Sequence, residues 1–273
     1  MARHPDFDII DANHHFRDID LNLNTGAYDF VTEAYEAPGH HERDCDVRLA
    51  NLDAQGVAGA VLIAGGNYIR PHGVADSRGV NDAIARYRDA ACGRIVAGIG
   101  HVDPLHGQYA VEEIGRCAGE LGLRGIAFYG MGHMMRPLVR KAADLGLVPF
   151  IHVGTPTDTI WQVDSLAREF ASLPIVVLHL FHAVNQVGSL AEIAERRPNL
   201  LFDLSGSISF ETLGLPQLRR IGVHRFAYGT YTHSWPLHTR PFGELLPDII
   251  GSDLPDEDKA SILGGNIRRA LSL

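Results

Sequence analysis

Short apolar runs alternate with longer amphipathic segments along almost the whole chain. The segments between the runs carry apolar side chains at helical spacing and end at glycines such as Gly56, Gly122 and Gly146. Near-continuous apolar strands that alternate with helices indicate a parallel sheet covered by helices. Eight such units in 273 residues favour a closed (β/α)8 TIM barrel, an α/β fold, over an open sheet. The predicted strands are residues 7–16, 57–64, 95–102, 123–128, 148–153, 175–180, 200–204 and 225–228.

The expected organisation is one domain over residues 1–273, because no stretch changes in composition as a linker would. Residues 17–46 are polar and are predicted to be a long loop after the first strand. Loops of that length in compact domains are usually lids or binding loops. Helical segments at residues 243–250 and 256–271 end the chain. No G-x-G-x-x-G motif or P-loop follows the first strand, which weakens a nucleotide-binding function.

Composition excludes several classes of protein. The formal net charge is −9 and the 24 Lys and Arg residues form no basic run, which argues against binding to nucleic acid or to an anionic membrane. No apolar run approaches about 18 residues, so no membrane span is expected. The three cysteines are isolated, and no pattern of a signal peptide is evident at the N-terminus. These features predict a cytoplasmic protein.

The first strand ends in a polar cluster, within FDIIDANHHF. Alternate residues of a strand share a face, so Asp11, Asn13 and His15 are predicted on one face and His14 on the other. Chemistry in a parallel barrel lies at the C-terminal ends of the strands, where this cluster falls. Imidazoles placed there bind metal or transfer protons. A hydrogen-bonded histidine at a strand end explains this stretch, taken alone, equally well.

Polar side chains also mark the ends of three later strands. His152 lies in the fifth predicted strand and His179 in the sixth, while Tyr231 and His233 follow the eighth. Together with His15 they are predicted to converge above one mouth of the barrel. Two further strands with a terminal histidine make coincidence a poor explanation for His15, His152 and His179. Weaker candidates near strand ends are His101, His133 and His182.

The order of several motifs resembles the amidohydrolase superfamily, in the branch that includes aminocarboxymuconate-semialdehyde decarboxylase and the dicarboxylate and sugar lactonases. The motifs run along nearly the whole chain: DANHH, LANLDAQGVAGAVL, NDAIARYRDAACGRIVAGIGHVDP, FIHVG, VVLHLFH, AYGTYTHSWP and ILGGNIRRAL, the last with Asn266. The resemblance implies an enzyme for a small carboxylated or lactone-type molecule, in a barrel that assembles as a homo-oligomer.

The sequence departs from this family at two positions. The family begins with H-x-H, where this chain has Asn13 and His15, and it carries an Asp after strand eight, where this chain has Tyr231. By resemblance, His15, His152 and His179 are the ligands of any bound Zn²⁺ or Mn²⁺. Asn is a poor zinc ligand, and loss of the Asp removes an anionic ligand and the base for a metal-bound water. These changes slightly favour a site without a catalytic metal.

The leading hypothesis is an enzyme that uses His15, His152 or His179 as a general base, because a neutral imidazole suits that role near pH 7. Tyr231 would stabilise an oxyanion. Hydrolysis, lactone isomerisation and decarboxylation all stay open. One alternative is a Zn- or Mn-dependent hydrolase or decarboxylase with three His ligands, and another is a barrel that binds a ligand without catalysis. Residues assigned to substrate binding are Asn13, Arg70, Arg124, His182 and His233; for each arginine, a surface ion pair is the simpler explanation.

Overall fold

Eight parallel strands form a single sheet in a computed structural model that describes residues 7–16, 40–64, 73–129, 135–153, 159–179, 187–205, 210–230 and 245–273. Neighbours in the sheet follow chain order, and Ala12 N donates to Tyr228 O over 2.8 Å between the first strand and the segment after the last. The predicted (β/α)8 barrel is therefore confirmed. The strands are β1 (Ile10–Phe16), β2 (Gly59–Ala64), β3 (Ile95–His101), β4 (Gly125–Tyr129), β5 (Val148–His152), β6 (Ile175–Leu178), β7 (Leu200–Asp203) and β8 (Phe226–Ala227).

Helices follow the strands as the alternating pattern predicts. They are α1 (His40–Gln55), α2 (Val74–Ala90), α3 (Gln108–Gly119), α4 (Met135–Asp144), α5 (Thr159–Glu169), α6 (Val187–Arg196), α7 (Leu215–Ile221), α8 (Leu245–Gly251), α9 (Asp256–Ala260) and α10 (Asn266–Leu271). A π-helical turn at Phe210–Gly214 precedes α7, and another at Ser261–Gly265 joins α9 to α10.

The predicted end of the long loop is wrong. The helix before β2 begins at His40, so residues 40–46 are helical rather than part of a loop. The run of polar side chains at the start of α1 hides the helical period from a reading based on apolar spacing. The rest of the predicted loop, residues 17–39, lies outside the described residues.

Alternate strand residues separate into two apolar layers. Side chains such as Val61, Ile99, Phe150 and Val176 fill the barrel interior, while their sequence neighbours pack outward against the helices. Ile267 and Leu271 of α10 belong to the inner layer and therefore close one end of the barrel.

Asn266 fastens the C-terminal helix to β8. Its Nδ2 donates to Val223 O over 2.9 Å and to Phe226 O over 2.7 Å. Satisfying these carbonyls ties the start of β8 to the segment that closes the barrel. Within the described ranges, no helix is long and apolar enough to cross a membrane.

Candidate active site

The end of β1 contains a bulge that sets the direction of its polar side chains. Asp11 pairs with Ala60 and His14 with Leu62, so three steps along β1 match two along β2. Ala60 and Leu62 belong to the outer layer, which places Asp11 and His14 together outside the barrel. His15 pairs with Ile63 of the inner layer. The prediction that Asp11 shares a face with Asn13 and His15 is therefore wrong, because the extra residue breaks the simple alternation.

Asp11 stabilises this bulge from the outer side. Its Oδ1 accepts from Asn13 N over 3.1 Å and from Thr230 N over 2.8 Å, and its Oδ2 accepts from the Thr230 hydroxyl and contacts His14 Nδ1 at 3.1 Å. Burial alone would raise the pKa of Asp11, but the hydrogen bonds from His14 and Thr230 and the charge of His14 hold this pKa below its usual value. Asp11 thus supports the site without facing it.

Three imidazoles from three strands meet at the C-terminal mouth of the barrel. The ring centroids are 5.1 Å apart for His152 and His179, 5.6 Å for His15 and His179, and 6.3 Å for His15 and His152. All three residues are buried. The three histidines converge as predicted. Their chemical roles stay predictions.

His179 reaches the cluster through an unusual backbone conformation. It follows the last residue of β6 and has a φ of 59°, in the left-handed region that few residues other than glycine adopt. Its backbone N–H donates to Asp203 Oδ2 over 3.2 Å, which supports this conformation. Local strain that neighbouring residues hold in place is typical of functional sites.

Asp203 is a buried carboxylate of β7 at the centre of a polar network. Its Oδ2 accepts from Asn13 Nδ2 over 2.7 Å and from the Ser205 hydroxyl, while its Oδ1 accepts from Ser205 N over 2.9 Å. Ser205 Oγ also lies 2.8 Å from Asn13 Nδ2 and 3.1 Å from His179 Nδ1. Burial raises the pKa of Asp203, and the hydrogen bonds from Ser205, Asn13 and the backbone of His179 oppose that rise.

Gly229 provides the space that this network requires. A Cβ atom at Gly229 would overlap Asp203 Oδ1 and would lie 3.0 Å from the Cβ of Asn13. Only glycine allows the backbone after β8 to approach the carboxylate so closely.

Arg48 of α1 holds the end of β1 from the side of the helices. It is buried, its Nη1 donates to His15 O over 2.8 Å, and its guanidinium carbon lies 5.4 Å from the centroid of the Tyr87 ring. The carbonyl of a site histidine is thereby fixed by a charge-assisted hydrogen bond.

His101, a weaker candidate, ends β3 and is buried two residues after Ile99 of the inner layer. Its backbone is clamped by Asn81 of α2, which accepts from His101 N over 2.7 Å and donates to His101 O over 3.0 Å. Asn81 also donates to Glu113 of α3 over 2.8 Å. The end of β3 is thus fixed to two helices.

The three imidazoles have the donor type that a divalent ion requires. Two imidazoles on one tetrahedral zinc ion have ring centroids about 5 Å apart, given Zn–N bonds of about 2.0–2.1 Å. The pair His152 and His179 meets this spacing, and the pair His15 and His152 exceeds it by about 1 Å. Within the described ranges, no group of three His, Cys, Asp or Glu residues has the geometry of a metal site. The three imidazoles therefore have the right donor atoms for a divalent metal, but only part of their ring-to-ring spacing fits one tetrahedral ion.

The remaining predicted site residues differ in position. Asn13 is buried against His179, with Nδ2 3.4 Å from Nδ1 of the ring. Arg124 is exposed and precedes β4, at the end of the strand opposite the imidazoles, so its position does not support a role in holding a substrate carboxylate. Predicted site residues that lie outside the described residues are Arg70, His133, His182, Tyr231 and His233.

Sequence reasoning missed Asp203, Ser205 and Arg48. Asp203 and Ser205 stand two apart at the end of a predicted strand, the same spacing that drew attention to Asn13 and His15. Arg48 follows Cys45 by three residues and precedes Leu52 by four, so helical spacing places it on a buried face. A signal was therefore present for all three residues.

The fold and the site define a class: a parallel barrel with a cluster of imidazoles and a buried carboxylate at its C-terminal mouth. The family model described as Amidohydrolase matches residues 10–273. The chain therefore belongs to the amidohydrolase family, and it is an enzyme of that superfamily. No curated protein sequence matches it at a significant level.

Solved structures share the fold at low sequence identity. The chain is similar to 5-carboxyvanillate decarboxylase from Sphingomonas paucimobilis, with a TM-score of 0.70, 18% identity, and coverage of 97% of this chain and 99% of that one. It is also similar to a 5-carboxyvanillate decarboxylase from Novosphingobium aromaticivorans with bound manganese and 3-methoxy-4-hydroxy-5-nitrobenzoic acid. The TM-score is 0.69 and the identity 16%, with coverage of 98% of this chain and 97% of that one. For an amidohydrolase from Burkholderia multivorans with bound zinc, the TM-score is 0.67 and the identity 19%, with coverage of 97% of this chain and 99% of that one.

Proposed function

We propose that the chain decarboxylates a small carboxylated organic molecule and that His15, His152 and His179 perform the proton transfers. The observation that carries this proposal is the convergence of these three imidazoles at one mouth of the barrel. Decarboxylases among the proteins with a similar fold support the choice of reaction.

Decarboxylation replaces a carbon–carbon bond by a carbon–hydrogen bond. The electron pair of the broken bond stays on the substrate carbon while CO₂ leaves, and that carbon then takes one proton. A protonated imidazole of the cluster supplies the proton and regains one from solvent, as general acid catalysis requires. Asp203, through Asn13 and Ser205, keeps the cluster in position. In the metal-dependent alternative, His15, His152 and His179 would instead hold a divalent ion that stabilises the charge of the substrate, and these imidazoles would then not be the proton donors.

The test is release of CO₂ from a panel of small carboxylates that includes hydroxylated benzoates. We expect turnover by the natural sequence and a loss of about 10²–10⁴-fold in His179→Asn, a residue that tolerates the left-handed backbone at this position. His224→Ala changes an exposed histidine on the turn before β8 and serves as the matched control, with unchanged turnover. Equal turnover by His179→Asn and the control would contradict the proposal.

Hydrolysis is the second candidate, because a zinc-bound amidohydrolase shares the fold. Acid release from a panel of lactones and amides would identify it, and one mole of metal per chain by elemental analysis would favour the metal-dependent form. Binding in a thermal-shift assay without turnover on any panel would favour a ligand-binding barrel. Roles for Tyr231, Arg70, His182 and His233, a cytoplasmic location and a homo-oligomer stay predictions.

A further inference from the structure

The carboxylate of Asp203 is surrounded by hydrogen-bond donors. Oδ2 accepts from Asn13 Nδ2, from the Ser205 hydroxyl and from the backbone N–H of His179, and Oδ1 accepts from the backbone N–H of Ser205. Two of these donors are backbone N–H groups, whose protons have no other position. Four donors at one carboxylate oppose the effect of burial and favour its ionised form. An ionised carboxylate can only accept, so each neighbour directs a hydrogen towards it.

The hydroxyl of Ser205 has one hydrogen, and the contact with Asp203 uses it. Ser205 Oγ must then accept from its other two neighbours, Asn13 Nδ2 at 2.8 Å and His179 Nδ1 at 3.1 Å. An unprotonated Nδ1 would direct its lone pair at the lone pairs of Oγ. The hydrogen of a neutral His179 ring therefore lies on Nδ1, and the lone pair lies on Nε2.

The amide of Asn13 is consistent with this direction of hydrogen bonds. Its two hydrogens satisfy Asp203 Oδ2 and Ser205 Oγ. The reverse amide orientation would place Asn13 Oδ1 against the carboxylate, at the 2.7 Å that now separates Nδ2 from Oδ2. Since two acceptors repel at that distance, the carboxylate fixes both the amide and the imidazole.

We propose that Asp203 is a positioning residue that acts through Ser205 to hold His179 in the tautomer with its hydrogen on Nδ1. Nδ1–H then stays bonded to Ser205, so Nε2 is the nitrogen that gives a proton to the substrate and regains one from solvent. This use of Nε2 in turnover rests on the proposed function, whereas the tautomer itself does not. An outer partner that fixes the tautomer of a site histidine commonly changes activity by about 10–100-fold when it is removed.

The test is long-range ¹H–¹⁵N correlation spectroscopy of the purified protein labelled with ¹⁵N-histidine, with His179 assigned from the signals lost in His179→Asn. We expect the Nδ1 signal of His179 to be that of a protonated nitrogen and the Nε2 signal to be that of an unprotonated one. In Ser205→Ala we expect a mixture of both tautomers. Ser77→Ala, which removes a buried hydroxyl from α2, is the matched control and should leave the tautomer unchanged.

Protonated Nε2 in the natural sequence would overturn the proposal, and so would a tautomer that is unchanged in a folded Ser205→Ala. If Ser205→Ala does not fold, the spectrum of the natural sequence decides by itself. Ser205→Thr, which keeps a hydroxyl, should retain the Nδ1–H form. On a substrate found by CO₂ release, Ser205→Ala should lower kcat about 10–100-fold with little change in KM. Failure to find any turnover would contradict the proposed function and leave the spectroscopic result standing.

Discussion

Asp11 joins the first strand to the segment after the last through buried hydrogen bonds. Both carboxylate oxygens have partners, Asn13 N and Thr230 N for Oδ1, His14 and the Thr230 hydroxyl for Oδ2. We expect Asp11→Ala to lower the free energy of unfolding by about 1–3 kcal/mol, because several buried donors would lose their acceptor. Urea denaturation measures this change. Asp8→Ala, which removes an exposed ion pair with Arg268, should change stability by less than about 1 kcal/mol.

The lowered pKa of Asp11 also predicts a dependence on pH. The folded state binds a proton to this group less readily than the unfolded state does, so its contribution is present above the unfolded value of 3.8 and is lost as the pH falls below it. Asp11→Asn should therefore lose less stability than the natural sequence between neutral and acidic pH. Equal slopes of stability against pH for the two proteins would contradict this prediction.

Gly229 is a residue at which a single added Cβ atom would disturb the site. Gly229→Ala would force the new Cβ into Asp203 and against Asn13, and we expect a loss of about 1–3 kcal/mol with disruption of the site. Gly79→Ala is the matched control, because Gly79 lies within α2 and a Cβ added there would have no neighbouring atom within 4 Å. That control should raise stability by about 0.5–1 kcal/mol. A loss of stability in both variants would contradict the steric argument.

At the scale of elements, α2, α3 and the end of β3 are held together by one buried carboxylate. Glu113 accepts from Asn81, Arg78 and Arg116, with distances of 2.8 Å, 3.1 Å and 2.7–2.8 Å. Burial alone would raise the pKa of Glu113, but the hydrogen bonds from Arg116, Asn81 and Arg78 hold it below its usual value. The three elements therefore depend on Glu113 being ionised.

Glu113→Gln should lower the free energy of unfolding by about 1–3 kcal/mol at neutral pH, because a charge-assisted partner is lost. Since the folded pKa is lowered, the stabilising contribution is present above the unfolded value of 4.5 and is lost as the pH falls below it. The difference between the two proteins should therefore shrink in acid, as measured by urea denaturation at several pH values. Glu112→Gln, on the exposed face of the same helix, should show no such dependence. A constant difference at every pH would count against the prediction.

Strands and helices were predictable from the sequence where the spacing of apolar residues is regular, and less so where that spacing changes. The strands β2 to β7 follow predicted apolar runs closely, because burial on both faces gives a short, near-continuous apolar run bounded by turn residues. The bulge in β1 was not predicted, because an extra residue leaves no mark in an alternating pattern. The bulge also depends on a hydrogen bond from Thr230, which is far away in the chain. Convergence of His15, His152 and His179 followed from the barrel alone. Asp203 was missed although its spacing with Ser205 was visible.

At the scale of the whole molecule, the C-terminal helix α10 closes one end of the barrel and contributes Ile267 and Leu271 to its interior. Leu271 packs there with 3% of its surface exposed, whereas Leu273 is 41% exposed. We expect Leu271→Ala to lower the free energy of unfolding by about 2–5 kcal/mol through the cavity it leaves. Leu273→Ala should change it by less than about 1 kcal/mol. Urea denaturation followed by far-UV circular dichroism measures both, and similar losses for the two variants would show that α10 does not stabilise the barrel through Leu271.

Asp11 and Thr230 are separated by 219 residues along the chain. During synthesis on a ribosome, the first strand emerges long before its partner after β8 has been translated. A product that ends just before Thr230 contains all three histidines and all eight strands, yet it lacks the contact that holds the bulge in β1. The bulge in β1, and the direction of His15 that depends on it, therefore cannot be fixed by this contact until Thr230 has been translated.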